Sequence, residues 1–284
     1  MVRGKILNAG PLKFIYSAYA IAHPSKMALK ANTFKNIFQA GEDAHLLSAK
    51  HLAIADGISI QPSGTVLNTY AQCILANMLN IIHAQDDPSD NDYLVNQSNM
   101  HILQKAYTNL PASTQGSATD CTLQFTQLGD TVFRVIRDGR FIIKSCDMQH
   151  SFNYPYQLAS TAGDKPQDAV EYSLQARCGD IIVMGSDGLF DNIFDDRILE
   201  IVNQVGDKNS GKDYTSEEML KQKTMVICDA LGNMARDISM DVNANTPFSE
   251  KALHEGIPYH GGKMDDITVI VATLAAEEDS PDRR

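Results

Sequence analysis

At 284 residues, 43% hydrophobic and 21% charged, the chain has the profile of an ordinary folded protein built around one large core. Its formal charge of −11 argues against general nucleic-acid binding, which needs a basic surface, and no apolar run is long enough for a membrane span. Five scattered cysteines with no C-x-x-C pair argue against a zinc site or a disulfide framework and point to a reducing, intracellular setting.

Residues 1–41 contain no Asp or Glu but carry Arg3, Lys5, Lys13, Lys26, Lys30 and Lys35. An acid-poor basic start suits a mitochondrial transit segment. The run FIYSAYAIA (14–22) reads instead as a strand, so the fold is expected to begin there, with the cytoplasm as the expected location and the mitochondrion as the alternative. HLLSAKHLAIAD (45–56) predicts two short strands around Lys50. Apolar residues at helical spacing predict a helix over 64–83, with Ser63 as N-cap, and a further helix is expected over 93–109. CTLQFTQLGDTVFRVIRDGRFIIKS (121–145) predicts a meander turning at Gly129-Asp130 and Asp138-Gly139. DIIVMGSD (180–187) and DDITVIVATL (265–274) predict buried strands, and 195–204 and 216–238 predict helices. Strands with helices inserted in blocks predict an α+β protein with antiparallel sheets, a single domain over 1–284 with its core at about 14–274 and a charged tail.

Acidic residues recur beside these strands. Glu42-Asp43 precedes one, Asp56-Gly57 and Asp187-Gly188 end two others, and Asp265-Asp266 opens the last. Hard cations such as magnesium and manganese take oxygen ligands, and gathered carboxylates repel one another until a cation neutralises them. A following Gly lets the chain turn and presents its own carbonyl. Asp-Gly is also an ordinary turn pair, as expected of Asp138-Gly139, so spacing alone leaves both readings open.

Taken together and in order, Glu42-Asp43, IADG (54–57), GSATDCTLQF (116–125), LGDTVFRVIRDG (128–139), GSDGLFDN (185–192) and GGKMDDITVIVA (261–272) resemble the type 2C, metal-dependent serine/threonine protein phosphatases. QHSFNYPYQL (149–158) resembles the branch with mitochondrial and plastid members. The resemblance implies a four-layer α-β-β-α sandwich of two antiparallel sheets flanked by helices. It also implies hydrolysis of phosphoserine and phosphothreonine in proteins by a metal-activated water at two divalent cations, Mg or Mn. Matched residue by residue, Asp56 bridges the two metals, the Gly57 carbonyl ligates one, Asp187 and Asp265 hold the first, and Glu42 serves the second with Asp43 nearby. Asp130 and Asp191 match a third, looser site; the alternative is that Asp191 caps a helix start and Asp130 shapes a turn. The implied partner is a phosphoprotein substrate, and a monomer is expected.

Three departures stand out. The second motif reads DGISIQ, with Ile58 where many members have His. The stretch before the acidic pair has Phe38 near the place of a phosphate-gripping Arg, leaving Lys35 as the substitute or as a plain surface lysine. The loop after Gly57 is short. These breaks sustain a second reading, an inactive binding scaffold, against which stands the retention of every core carboxylate. His45, His51, His150 and His260 are read as structural, the alternatives being a loop hydrogen bond from His150 and an approach of His260 to the acids.

Overall fold

The computed structural model describes residues 12–24, 37–47, 52–56, 122–157, 163–207 and 216–276. The helices expected over 64–83 and 93–109, together with Lys35, His51, Gly57 and Ile58, lie outside the described residues. The main sheet is antiparallel and five-stranded, in the order β1 (Leu12–Ile21), β12 (Ile267–Ala276), β11 (Ile181–Gly185), β6 (Val132–Arg137), β7 (Arg140–Lys144). A three-stranded sheet joins β2 (Ile37–Ala40), β3 (Asp43–Leu47) and β4 (Leu52–Ala55), and β5 (Thr122–Gln127) pairs with β10 (Val170–Gln175). A small ribbon is formed by β8 (Gln149–Ser151) and β9 (Tyr154–Pro155). The helices are α1 (Asp187–Phe190), α2 (Asp195–Asp207), α3 (Glu217–Ser239) and α4 (Pro247–His254).

The main sheet is covered on both faces, which its sequence requires. Strand β12 alternates Ile267, Val269 and Val271 toward one apolar cluster with Ala272 and Leu274 toward another. The first cluster lies under α3, whose Ile227, Cys228, Leu231 and Ala235 recur at helical spacing. The second holds Ile182, Phe133 and Val135 against Leu123, Phe125 and Tyr172 of the β5–β10 pair, with Leu52 of β4 beside them. Phe125 stacks on Phe133 and Tyr172 meets that ring edge-on, fixing how the two sheets face each other. The result is the α+β sandwich expected, with helix, sheet and sheet layers among the described residues.

Two expectations need correction. Residues 121–145 are not one meander: β6 and β7 form the Asp138-Gly139 hairpin, with positive φ at both turn residues, but β5 leaves for the other sheet. Gly129, at φ +94°, turns the chain there, so the Gly-Asp pair marks a change of sheet. Helix α4 was not expected, yet its signals are local. The Thr246 hydroxyl accepts the Ser249 N–H, the Ser249 hydroxyl accepts the Thr246 N–H, and Pro247 occupies the first turn. No helix among the described residues is long and apolar enough to cross a membrane.

Candidate metal centre

The acids converge on one edge where the two larger sheets meet. Asp43 begins β3, Asp56 follows β4, Asp130 sits in the β5–β6 turn, and Asp187 begins α1 two residues past β11. Asp265 and Asp266 precede β12. Asp187 is thus a helix N-terminal residue rather than a strand end, and Asp265 stands ahead of the strand it was expected to open. Asp191 is the C-terminal cap of α1, which corrects the expectation that it caps a helix start.

Asp43 is 1% exposed, and among the described residues no group donates a hydrogen bond of good geometry to either carboxylate oxygen, the Thr268 and Ser186 hydroxyls being nearby. Burial raises its pKa from 3.8 to about 7, nearby Asp266 raises it further, and the hydroxyls of Thr268 and Ser186 pull the other way. Asp56 presents part of its surface to solvent, but the groups around its carboxylate strip hydration from it and raise its pKa well above the ordinary value; the charges of Asp43, Asp187, Asp130 and Asp265 add to the rise. Burial, then Asp265, Asp191 and Asp130, push Asp187 up to about 8 against the pull of Lys263. Burial raises Asp130 as well. Four acids, Asp43, Asp56, Asp130 and Asp187, thus share one edge at the cost of their own ionisation, a cost that a divalent cation would offset.

The neighbouring acid Asp266 does different work. It is 2% exposed and accepts the His23 N–H at 2.6 Å and the Glu42 N–H at 2.8 Å. It therefore ties the end of β1 to the β2–β3 turn and sets where Glu42 and Asp43 sit. Gly41 is required beneath it: at φ +63°, a Cβ there would lie 2.1 Å from the Asp266 carboxylate. Gly188 serves the same packing from the other side, since its Cβ would meet the Asp266 carbonyl at 2.1 Å.

Asn192 clasps the last loop onto α1. Its side-chain amide donates to the carbonyls of Gly188 and Lys263, and its Oδ1 accepts the Lys263 N–H, all at 2.9 Å. Arg134 braces the far side, donating to Asp195 at 2.7 Å and to the carbonyls of Phe133 and Ser145, with its guanidinium 4.7 Å from the Phe190 ring centre.

Among the described residues no three acids stand in a ready cation cage. Asp187, Asp191 and Asp265 turn instead to the ammonium of Lys263, which bonds Asp187, lies 2.9 Å from Asp191 and 3.4 Å from Asp265. Glu42 is buried beside Asp43. Of the expected ligands, then, Asp43, Asp56, Asp187 and Asp265 share one electrostatic neighbourhood, Glu42 is fixed next to it through Asp266, and Asp130 and Asp191 border it. Sequence reasoning missed Lys263, Asn192 and Asp266, although all lie in or beside the quoted motifs. Phe38 is 51% exposed and stacks on His45 at 5.2 Å. His150 bonds Asp164 at 2.9 Å, as expected of a loop contact, whereas His260 is an exposed residue of the loop before Gly261.

The donor chemistry fits a divalent cation. The acceptors are carboxylates, the two buried oxygens of Asp43 are unpartnered among the described residues, and a cationic side chain is already drawn in among the acids.

No protein-family model matches the chain. Probable protein phosphatase 2C 55 of Arabidopsis thaliana is 32% identical over 280 residues, 95% of this chain and 53% of that protein, so the chain spans about half its length. Protein phosphatase PTC7 homolog fig of Drosophila simulans is 31% identical over 256 residues, 82% of this chain and 77% of the relative. The X-ray structure of the photosystem II phosphatase PBCP superposes with a TM-score of 0.65 at 26% identity, covering 93% of this chain and 100% of that one. With this fold, this acidic edge and these relatives, the chain belongs to the protein phosphatase 2C family, in company with the PTC7 homologues.

Proposed function

We propose that the chain hydrolyses phosphoserine and phosphothreonine in proteins with the help of two divalent cations, magnesium or manganese. The observation that carries this reading is the gathering of Asp43, Asp56, Asp187 and Asp265 at one edge, with both buried oxygens of Asp43 unpartnered among the described residues. By family resemblance Asp56, Asp187, Asp265, Glu42, Asp43 and the Gly57 carbonyl would hold the two cations, Asp56 being common to both, Asp187 and Asp265 serving one and Glu42 with Asp43 the other. Asp130 and Asp191 are the acids for a third, looser cation. Bound cations of this kind acidify water and neutralise phosphoryl oxygens.

The rest falls to the chain. Asp266 and Asn192 hold the carboxylates in place from behind, so the site is set before substrate arrives. The segments that carry them adjoin the ends of packed strands, which suits the positional mechanism that phosphoryl transfer needs. Cys228 does not suit a nucleophile, being buried with its thiol pushed up to about 12 by that burial, and the sequence holds no Cys-x5-Arg motif.

An inactive scaffold is the second reading. Phe38 favours it, because an exposed aromatic ring stands where a phosphate-gripping Arg is expected.

The test is phosphate release from a phosphothreonine peptide with manganese, magnesium or excess chelator, beside Asp187→Asn. Metal-dependent release that disappears with chelator and in the variant supports the phosphatase. A folded, metal-loaded protein that releases nothing supports the scaffold.

A further inference from the structure

The ammonium of Lys263 stands where a cation belongs. Three of the acids at the edge contact it, namely Asp187, Asp191 and Asp265. The placement is built from several sides. Both backbone polar groups of Lys263 are bonded by the Asn192 side chain. The ammonium lies 5.2 Å from the Phe248 ring centre, and that ring is held edge-on by Tyr259. The side chain is only 14% exposed. A surface lysine that met an acid by chance would have none of this support.

We infer that Lys263 is an internal counter-cation of the metal centre: it holds the carboxylates together in the metal-free protein and competes with the first divalent ion for Asp187 and Asp265. The inference rests on the two-cation reading of the site. A divalent ion on Asp187 and Asp265 would meet the like charge of the ammonium at close range, and that repulsion is what drives the ammonium out as the metal enters. The exchange keeps positive charge on Asp187 and Asp265 at every stage, which offsets part of their mutual repulsion. Lysine suits the role because its charge is a compact point on a flexible stem that can swing aside.

The experiment titrates manganese into chelator-stripped wild type, Lys263→Gln and Lys263→Arg by calorimetry, with melting temperatures recorded with and without metal. One hydrogen-bonded charge contact is worth roughly ten- to a hundredfold in an equilibrium, so Lys263→Gln should bind manganese at least about tenfold more tightly. The same variant should melt lower than wild type when stripped and regain most of that loss with manganese. Lys263→Arg, which keeps the charge, should show no gain in affinity. Equal or weaker manganese binding by Lys263→Gln than by a wild type that does bind overturns the inference and leaves the metal reading standing. No binding by wild type or any variant overturns both.

A second measurement needs no variant. Amine acetylation of wild type followed by mass spectrometry should find Lys263 protected when stripped and more reactive once manganese saturates the protein. Unchanged protection would sink the exchange. Should Lys263→Gln fold only with manganese present, that behaviour supports the counter-cation role directly.

Discussion

The middle of the main sheet and its acidic edge belong to the same strands but solve opposite problems. In the middle, β11 and β12 bury Ile182, Val183, Val269 and Val271 to 1% exposure or less, and each faces other apolar groups. At the edge, a few residues along, Asp43 is buried as deeply with both oxygens unpartnered among the described residues, and Asp187 is held up to about 8. The core is complete as it stands. The edge is complete only with positive charge added. Stability is therefore invested in the sheet interior, and the edge carries an unmet electrostatic demand that function uses.

The largest way to test that division is Ile182→Ala. Ile182 is 1% exposed between the sheets, so removing its side chain should cost about 2–5 kcal/mol of unfolding free energy. Manganese affinity and activity per folded molecule should not change. A drop in affinity, read by calorimetry on the folded variant, would mean that core and edge are not separable.

Acid should weaken the edge next. His45 is 4% exposed, and burial lowers its pKa from 6.5 to about 4. The unfolded chain takes up the proton first as pH falls, so the stability that a neutral His45 confers is present above 6.5 and is lost between 6.5 and about 4. At 1.36 kcal/mol per pH unit that window is worth about 3 kcal/mol. Denaturant melts of wild type and His45→Phe across the window should converge or diverge by about that amount; parallel curves would remove His45 from the account.

Asp43→Asn should act with the opposite sign and more modestly. Asp43 has a folded pKa above its unfolded one, so the metal-free fold loses stability as pH rises from about 4 to about 7. Asparagine removes the charge that causes the loss. The stripped variant should be more stable than wild type at pH 8, by about 1–3 kcal/mol, and should bind manganese more weakly. A variant that is destabilised when stripped would show that Asp43 is satisfied without metal. The smallest effect belongs to Lys13, which bonds the 43%-exposed Glu217 side chain at 2.6 Å between β1 and α3. Lys13→Met should change neither melting temperature nor metal binding measurably.

The sequence was most legible where a residue's role depends on its immediate neighbours. The Asp138-Gly139 hairpin, the periodic face of α3 and the β-branched run of β12 all declare themselves locally. The departure of β5 to the other sheet did not, because a strand's partner is decided by distant residues and Gly129 alone does not say which way it turns. The same limit separates the paired acids at 265 and 266. Both stand as an acidic pair beside one strand, with only Asp265 matched to a ligand, and the contacts of Asp266 with His23 and Glu42, more than 220 residues away in sequence, make it an internal brace. Lys263 escaped notice for a related reason: a lysine among acids in sequence reads as a solvated residue, and only Asn192 and Phe248 fix where its charge goes.

The Asn192 clasp has a mechanical consequence. Because one side-chain amide grips Gly188 at the head of α1 and Lys263 in the loop before β12, the segments bearing Asp187 and Asp265 form a single rigid jaw. Opening that jaw breaks both Asn192–Lys263 hydrogen bonds together. The amide proton of Lys263 should therefore exchange with solvent at the pace of a cooperative unit, far more slowly than its position in a loop suggests.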